Sequence, residues 1–293
     1  MKRITGSLLG ITLLFGVQGV AAAQEASPPP KVLTIIREFV KPGKAGMAHE
    51  RSESAFVQAF TRAKWPTHYL AIDSLSGKSR ALYLTGYDSF EAWEKDAGAV
   101  QKDSALSSAL DRASAADGDL LSEIDAATLR YNEEYSLHAA SVDIAHMRYF
   151  EISVFHIRPG HHKEWDEGVR MVNAAYTKAL PDIQWAAYEG VYGMPQGTYI
   201  FFTPMKSAAE IDHAFAKDKE FMAAMGEDGM KKLEELSAAS IESSESNLFA
   251  FNPRMSYVSE EWIKADPDFW KPKPAKASAG MGKKVEEKPA ANQ

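Results

Sequence analysis

The order of apolar and polar positions along the chain repeats once, at a spacing of about 116 residues. β-Branched and aromatic runs predict first strands at Val32–Val40 and Tyr149–Ile157, and each run ends at a Pro-Gly pair that favours a turn. An apolar stripe at helical spacing follows, as with Trp165, Val169 and Tyr176 in the second copy. Further strands are predicted at His68–Asp73, Ala81–Tyr87, Thr128–Tyr131, Ile183–Tyr188, Thr198–Thr203 and Leu248–Phe251.

A capping box predicts the start of a second helix in each copy. Asp88 is followed three residues later by Glu91, and Ser207 is followed by Glu210 at the same spacing. The order strand–helix–strand–strand–helix–strand is that of a ferredoxin-like unit, whose antiparallel sheet carries helices on one face only. We therefore predict an α+β fold. Its two tandem ferredoxin-like βαββαβ units would pack sheet to sheet as an intrachain pseudo-dimeric α/β barrel.

Both ends of the chain are predicted to lie outside these units. A basic start, the apolar run Leu8–Val17 and the small residues Ala21–Ala23 follow the order of a secretory signal peptide, cleaved after Ala23. The last part of the chain is rich in Lys, Pro, Ala and Gly, a composition that does not form a core. We therefore predict a signal peptide over residues 1–23 and a Pro-rich lead-in over 24–30. The first unit would cover residues 31–140, the second 141–264, and a disordered tail 265–293.

The composition limits the cellular compartment that fits this protein and the kinds of chemical site that it can carry. There is no cysteine, which excludes disulfides, thiolate metal sites and cysteine nucleophiles. The net charge of −7 argues against general binding to nucleic acid. The apolar run near the start is shorter than the roughly 20 residues that span a bilayer. We expect a periplasmic or secreted protein with no integral membrane segment after signal removal, and its oligomeric state stays open.

The two copies share a further combination of features. Each has a strand that ends in Val or Ile, a basic residue and Pro-Gly, at Val40–Gly43 and Ile157–Gly160, then a helix with an aromatic residue near its start, a β-hairpin and a capped helix. This combination resembles the dimeric α/β-barrel superfamily, whose members include antibiotic-biosynthesis-monooxygenase-like, NIPSNAP-like and chlorite-dismutase-like proteins. The two-copy layout is most similar to the NIPSNAP-like branch. The resemblance implies a fused pseudo-dimer over Val32–Tyr257, but no activity, because this fold hosts many functions.

Polar and aromatic residues on strands that should be buried are candidate ligand contacts, because buried polar groups need partners. Side-chain alternation places Arg37 and Glu38 on opposite faces of the first strand. His156 is the sharpest candidate, as an axial ligand, a general base or a hydrogen-bond donor. The alternative interpretation is that His156 is a structural histidine at the end of a strand, hydrogen-bonded to a backbone carbonyl. The candidate ligand-binding residues are Arg37, His68, Tyr69, Glu151, His156, Trp185 and Tyr188.

The remaining histidines do not predict a metal site. His156, His161 and His162 have a spacing that suggests metal ligands, but the adjacent pair follows Pro-Gly on a predicted exposed helix start. His49 and His213 lie in predicted helices with no obvious partner and are interpreted as surface residues.

Three functions remain open on the sequence alone. The favoured one is an exported α/β-barrel protein that binds a small, mostly apolar molecule without an identifiable catalytic motif. The second is a cofactor-independent or haem-linked oxygenase that would use His156 with Arg37 or Tyr188. The third is a structural or interaction protein with a filled barrel core. No catalytic residue is assigned and no cofactor is predicted, haem being the one that the second alternative allows.

Overall fold

The computed structural model describes residues 28–271. The predicted signal peptide, the first part of the Pro-rich lead-in and residues 272–293 of the predicted tail lie outside the described residues.

The described elements follow the predicted order, with each predicted second helix divided in two. The first half contains β1 (Val32–Val40), α1 (Met47–Ala63), β2 (Tyr69–Ser74), β3 (Arg80–Tyr87), α2 (Phe90–Lys102), α3 (Ser104–Asp117) and β4 (Leu121–Leu137). The second half contains β5 (Tyr149–Ile157), α4 (His162–Ala179), β6 (Trp185–Tyr192), β7 (Thr198–Met205), α5 (Ala209–Ala216), α6 (Asp218–Ser240) and β8 (Ile241–Phe251). Two short helices follow, α7 (Glu260–Ala265) and α8 (Pro267–Trp270).

The predicted capping boxes are wrong in detail. Helix α2 is capped by Ser89, whose hydroxyl accepts the backbone N–H of Ala92 at 3.1 Å, and Asp88 lies one residue too early. Helix α5 begins after Ala208 without a side-chain cap, so Ser207 does not act as predicted. Serine and aspartate are both good N-caps, so the adjacent residues Asp88 and Ser89 predict two possible starts of α2 that differ by one residue.

The eight strands of the described chain form one closed antiparallel barrel in the order β1-β3-β2-β8-β5-β7-β6-β4. Each half supplies four neighbouring strands, and the halves join at two seams. At one seam β2 pairs with β8, with Ile72 opposite Phe251, and at the other β4 pairs with β6, with Tyr131 opposite Tyr188. The expected packing of sheet against sheet therefore takes the form of a continuous sheet, which leaves no free edge at either seam.

Alternate residues of every strand fill the barrel. The interior is apolar and aromatic, with members from all eight strands, such as Leu33, Ile72, Leu84, Leu129, Ile152, Tyr188, Phe202 and Phe249. On the outer surface, α1 and α3 pack on each other over the first half and α4 and α6 pack on each other over the second. This arrangement gives two interiors where a site can form: the barrel itself, and the layer between the sheet and its covering helices.

The C-terminal helices cover one end of the barrel, which we call the covered end, near Leu33 and Phe150. Trp270 is 4% exposed, its indole N–H donates to the Ala145 carbonyl at 2.8 Å, and its ring contacts that of Phe251. The prediction that the tail begins at residue 265 is therefore wrong for residues 265–270. Aromatic residues directly before the Lys- and Pro-rich stretch provide enough apolar surface to hold these helices on the body.

In residues 28–271, no helix has the length and apolar character needed to cross a membrane.

Candidate functional site

A cavity of about 360 Å³ lies at the covered end of the barrel. Its walls come from barrel strands, from the segment that joins the halves, from residues 28–30 and from helix α7. The lining is mainly apolar and includes Leu33, Leu70, Leu84, Val142, Ile144, Phe150, Ala186, Phe202, Val258 and Trp262. A cavity of this size and lining is typical of small-molecule sites, which run from about 300 to 1,000 Å³.

A few polar groups reach this cavity. The Tyr188 hydroxyl donates to the Pro30 carbonyl at 3.1 Å, and burial raises the pKa of this phenol, so it stays protonated at neutral pH. The His68 ring stacks on Tyr257 at 4.8 Å between centroids, and burial lowers the pKa of His68, which favours its neutral form. His68 and Tyr188 are therefore uncharged hydrogen-bonding groups in an apolar surround, while the carboxylate of Asp143, also in the lining, is hydrogen-bonded to His146 Nδ1 at 2.6 Å.

The N-terminal segment closes one side of the cavity. A Cβ atom on Gly86 would lie 2.7 Å from the Pro30 ring, closer than carbon atoms pack. Glycine at this position of β3 therefore lets Pro30 reach the mouth of the barrel, where its carbonyl accepts the Tyr188 hydrogen bond.

The structure brings three of the seven predicted residues to this cavity: His68, Tyr69 and Tyr188. The Tyr69 ring itself contacts Phe60 of helix α1 and Tyr83 of strand β3, in both cases edge to face.

Two predicted residues lie on the outside of the barrel. Trp185 packs against α4 through Tyr176, and its indole N–H donates to the Tyr135 carbonyl at 2.8 Å. Glu151 is exposed. Neither residue lines the cavity.

Arg37 and His156 point into the barrel towards its other end. Arg37 pairs with Asp125 across β1 and β4, with Nη2 to Oδ2 at 3.0 Å. His156 Nδ1 lies 2.9 Å from Thr198 Oγ1, six residues along β5 from the cavity residue Phe150, a distance of about 20 Å. His156 and Arg37 therefore do not share a pocket with Tyr188.

A second group of polar residues lies between the sheet and its helices in the first half. Glu38 on the outer face of β1, His49 and Glu53 on α1, and Asp117 at the end of α3 are all buried. His49 Nε2 is 3.0 Å from Glu38 Oε2 and 3.8 Å from Asp117 Oδ1. One donor atom from each of the four lies within 4.8 Å of the others, so in residues 28–271 these are the side chains placed to share a metal ion. We call them the polar cluster.

The interpretation of His49 as a surface residue is wrong, because its side chain is 2% exposed. His213 is exposed, as predicted. The i, i+4 spacing of His49 and Glu53 puts both on one helix face, and Glu38 lies on the strand face that the helices cover. That signal was present in the sequence, whereas the contribution of Asp117 depends on how α3 returns to α1.

Burial and mutual charge control the protonation of the polar cluster. Burial, followed by the charges of Glu38 and Asp117, raises the pKa of Glu53 to about 9. Burial alone would lower the pKa of His49, but the hydrogen bond that its ring N–H donates to Glu38 and the charges of Asp117 and Glu38 outweigh it and raise that pKa. At neutral pH and without a metal, Glu53 therefore keeps its proton, and the raised pKa of His49 favours its protonated form.

We expect the metal-free protein to lose stability as the pH rises from about 4.5 to about 9, the ordinary and the folded pKa of Glu53. In this window the folded state holds a proton that the unfolded carboxyl releases, so rising pH favours unfolding, by on the order of a few kcal/mol. The raised pKa of His49 acts in the same direction above 6.5. Urea unfolding at several pH values in chelator-treated buffer measures this slope.

Glu53→Gln should flatten the profile, because an amide cannot ionise. Glu94→Gln, on the exposed face of α2, is the matched control and should keep the wild-type slope. Equal slopes for wild type and Glu53→Gln would contradict the prediction.

Comparison with known proteins shows similarity of fold and none of sequence. No protein-family model matches the chain, and no curated protein matches it. No sequence match therefore supports the NIPSNAP-like assignment.

Solved structures with a similar fold include an anthrone oxidase-like protein, 14% identical, with 76% of this chain and 92% of that chain covered at a TM-score of 0.47. A candidate monooxygenase from Lactobacillus acidophilus NCFM is 7% identical, with 75% and 93% covered at a TM-score of 0.45. A mutant chlorite dismutase from Candidatus Nitrospira defluvii is 8% identical, with 80% and 95% covered at a TM-score of 0.44. At such identities and scores the similarity says nothing about activity, so the chain is assigned by its own geometry to the α+β proteins with a closed eight-stranded antiparallel barrel.

Proposed function

We propose that this chain is an exported, fused pseudo-dimeric barrel protein that binds a small, mostly apolar molecule at the covered end of the barrel. Export rests on the signal-peptide pattern of residues 1–23. The pseudo-dimer rests on the repeated order of strands and helices in the two halves. Ligand binding rests on the cavity.

The cavity is the observation that carries this proposal. A barrel whose role is structural would be expected to fill its interior with side chains, as this barrel does over most of its length. At the covered end about 360 Å³ stays open and is lined by aliphatic and aromatic side chains. Filling such a space with an apolar ligand restores contacts that the lining side chains lack.

The polar groups in the lining limit the chemistry of the ligand. His68 and Tyr188 are uncharged at neutral pH and offer hydrogen bonds. The described lining contains the carboxyl group of Asp143 and no Lys or Arg, so it does not favour an anion. The ligand that fits is an uncharged apolar molecule with one or two hydrogen-bonding groups, rather than an organic anion.

The oxygenase alternative would use His156 with Arg37 or Tyr188. Tyr188 lines the cavity while the other two residues point to the opposite end of the barrel, so His156 and Tyr188 do not form one site. Arg37 and His156 hydrogen-bond to Asp125 and Thr198 and do not line the cavity, which supports the binding function.

A native mass spectrum and an absorbance spectrum of the protein purified from its own compartment test the proposal. A discrete extra mass of an uncharged, mostly apolar molecule, without a visible chromophore, is the expected result. A haem absorbance band would contradict the proposal and favour the oxygenase alternative.

Ala186→Phe is expected to weaken binding of the apolar fluorescent probe N-phenyl-1-naphthylamine by at least about tenfold. Ala186 points into the cavity from β6, so a phenyl ring there occupies the space of the probe. Ala223→Phe, which adds the same ring at an exposed position of α6, is the control and should leave the affinity unchanged. Fluorescence titration measures both, and unchanged affinity in a folded Ala186→Phe variant would contradict the site.

A further inference from the structure

We infer that the polar cluster of Glu38, His49, Glu53 and Asp117 binds one divalent transition-metal ion between the barrel and helix α1. The four side chains come from three elements, all are buried, and one donor atom of each lies within 4.8 Å of the others. This site is separate from the cavity at the covered end, whose lining contains none of the four.

Unpartnered oxygens point into this cluster. Both carboxylate oxygens of Asp117, which is 2% exposed, accept no hydrogen bond from an N–H or hydroxyl group of the described residues, and neither does Glu53 Oε1. Within residues 28–271, the donor that can face Asp117 in the metal-free protein is the protonated carboxyl of Glu53. Oxygens without a donor, removed from water, destabilise a fold unless a cation or a proton faces them. They are the observation, beyond the gathering of acidic residues, that indicates a missing ligand.

The carboxyl groups of the polar cluster also outnumber the basic groups that face them. Three carboxylates face one imidazole, and among residues 28–271 no Lys or Arg is within ion-pairing distance of them. A divalent ion that replaces the protons of the metal-free cluster would balance two of the three carboxylate charges and leave the imidazole neutral, the form in which histidine binds metals.

The second half of the chain shows that the fold does not need polar residues here. Glu38 of β1 and Phe155 of β5 occupy equivalent positions in the two halves. In both strands the register of pairing with the last strand of the same half shifts between the first and second residues that follow. Around Phe155 the layer beneath α4 is aromatic: Trp165 contacts Phe155 at 5.2 Å and stacks on Tyr199 at 5.5 Å between centroids. Apolar packing fills this layer in one half, so the buried charges in the other half indicate a ligand rather than a requirement of folding.

The donor set selects the class of metal. Carboxylates alone suit Mg²⁺, Ca²⁺ and Mn²⁺, whereas imidazole suits Zn²⁺, Fe²⁺ and other first-row ions. Three carboxylates with one imidazole and no sulfur fit Mn²⁺, Fe²⁺ or Zn²⁺. Bonds of about 2.0–2.2 Å put opposite ligands of one ion about 4.2 Å apart, so donors that lie within 4.8 Å need to move by less than about 1 Å.

Metal analysis and thermal unfolding of the full chain test the inference. After expression in metal-supplemented medium and dialysis, we expect about one bound transition-metal ion per chain by elemental mass spectrometry. After chelation, Zn²⁺ or Mn²⁺ at a hundred times its Kd should raise the Tm by about 5–10 °C. Mg²⁺ and Ca²⁺ should have little effect.

Two variants and a control locate the ion. Asp117→Asn and Glu53→Gln keep side-chain size but remove a charged ligand, and each should weaken Zn²⁺ binding by at least about tenfold. Asp111→Asn, on the exposed face of the same helix as Asp117, is the control and should bind like wild type. Glu53→Gln is also expected to fold, since the amide resembles the protonated carboxyl group of the metal-free protein. A loss of Zn²⁺ binding in this variant would therefore not be due to misfolding.

Three outcomes would overturn the inference. The first is a folded wild-type chain that retains no transition metal and shows no Tm response to Zn²⁺ or Mn²⁺, which would mean that protons alone balance the cluster. The second is equal Zn²⁺ affinity in wild type and Glu53→Gln, which would place the ion elsewhere. The third is a Tm response to Mg²⁺ or Ca²⁺ alone, which would exclude a transition metal.

Discussion

A chain that ends at Ala140 is expected to aggregate or self-associate instead of folding as a monomer. It keeps four of the eight strands and loses both seams, so β2 and β4 become unpaired edges. It also exposes the inner face of the half-barrel, with Ile72, Leu84 and Leu129 now open to water. Unpaired strand edges next to apolar surface are typical sites of association.

Size-exclusion chromatography with light scattering measures this outcome. The matched control is co-expression of residues 28–140 with residues 141–271, which restores the partner strands without a covalent link. Because main-chain pairing and core packing hold the seams, we expect the two pieces to form one heterodimer. A monomeric first piece with cooperative unfolding would contradict the pseudo-dimer.

Trp270→Ala is expected to destabilise the protein by about 3–5 kcal/mol, the usual cost of removing a buried aromatic side chain. The ring packs against Trp262, Phe269 and Phe251, and its N–H satisfies the Ala145 carbonyl. Its loss would leave a void over the covered end and an unpaired carbonyl. Urea unfolding monitored by circular dichroism gives the free energy of unfolding.

Two further chains separate the ring from the rest of the C-terminus. Trp270→Phe keeps most of the packing but loses the hydrogen bond, so it should cost about 1–3 kcal/mol. A chain that ends at Lys271 keeps the ring, and the composition of residues 272–293 predicts a Tm close to that of the full chain. A large drop on that deletion, or none on Trp270→Ala, would contradict this account of the covered end.

Strand prediction succeeded where β-branched and aromatic residues form a run that ends at a Pro-Gly turn. The first strands at Val32–Val40 and Tyr149–Ile157 agree with the structure residue for residue. The last strands were predicted too short, since β4 extends from Leu121 to Leu137 and β8 begins at Ile241. Their outer parts carry charged and small residues that give no strand signal, and pairing with neighbouring strands holds them extended.

Three of the predicted site residues, His68, Tyr69 and Tyr188, line the barrel cavity, and their role in ligand binding stays a prediction. Strand position and polarity indicated His68 and Tyr188 because both criteria are local. The same criteria included Trp185 and Glu151, which point outward, because a sequence does not show which face of a strand becomes the interior of a closed barrel. The prediction of a ligand-binding function and the absence of a predicted cofactor stay predictions.

The sequence by itself determined the elements of this protein, their repeated order and the α+β class, because alternation, turn residues and apolar stripes act over a few residues. The tertiary structure alone decided three things: the pairing of β2 with β8 and of β4 with β6 that closes the barrel, the cavity at its covered end, and the meeting of Glu38, His49, Glu53 and Asp117. Each depends on contacts between residues far apart in the chain. Such contacts form only when whole elements pack, so no local pattern records them.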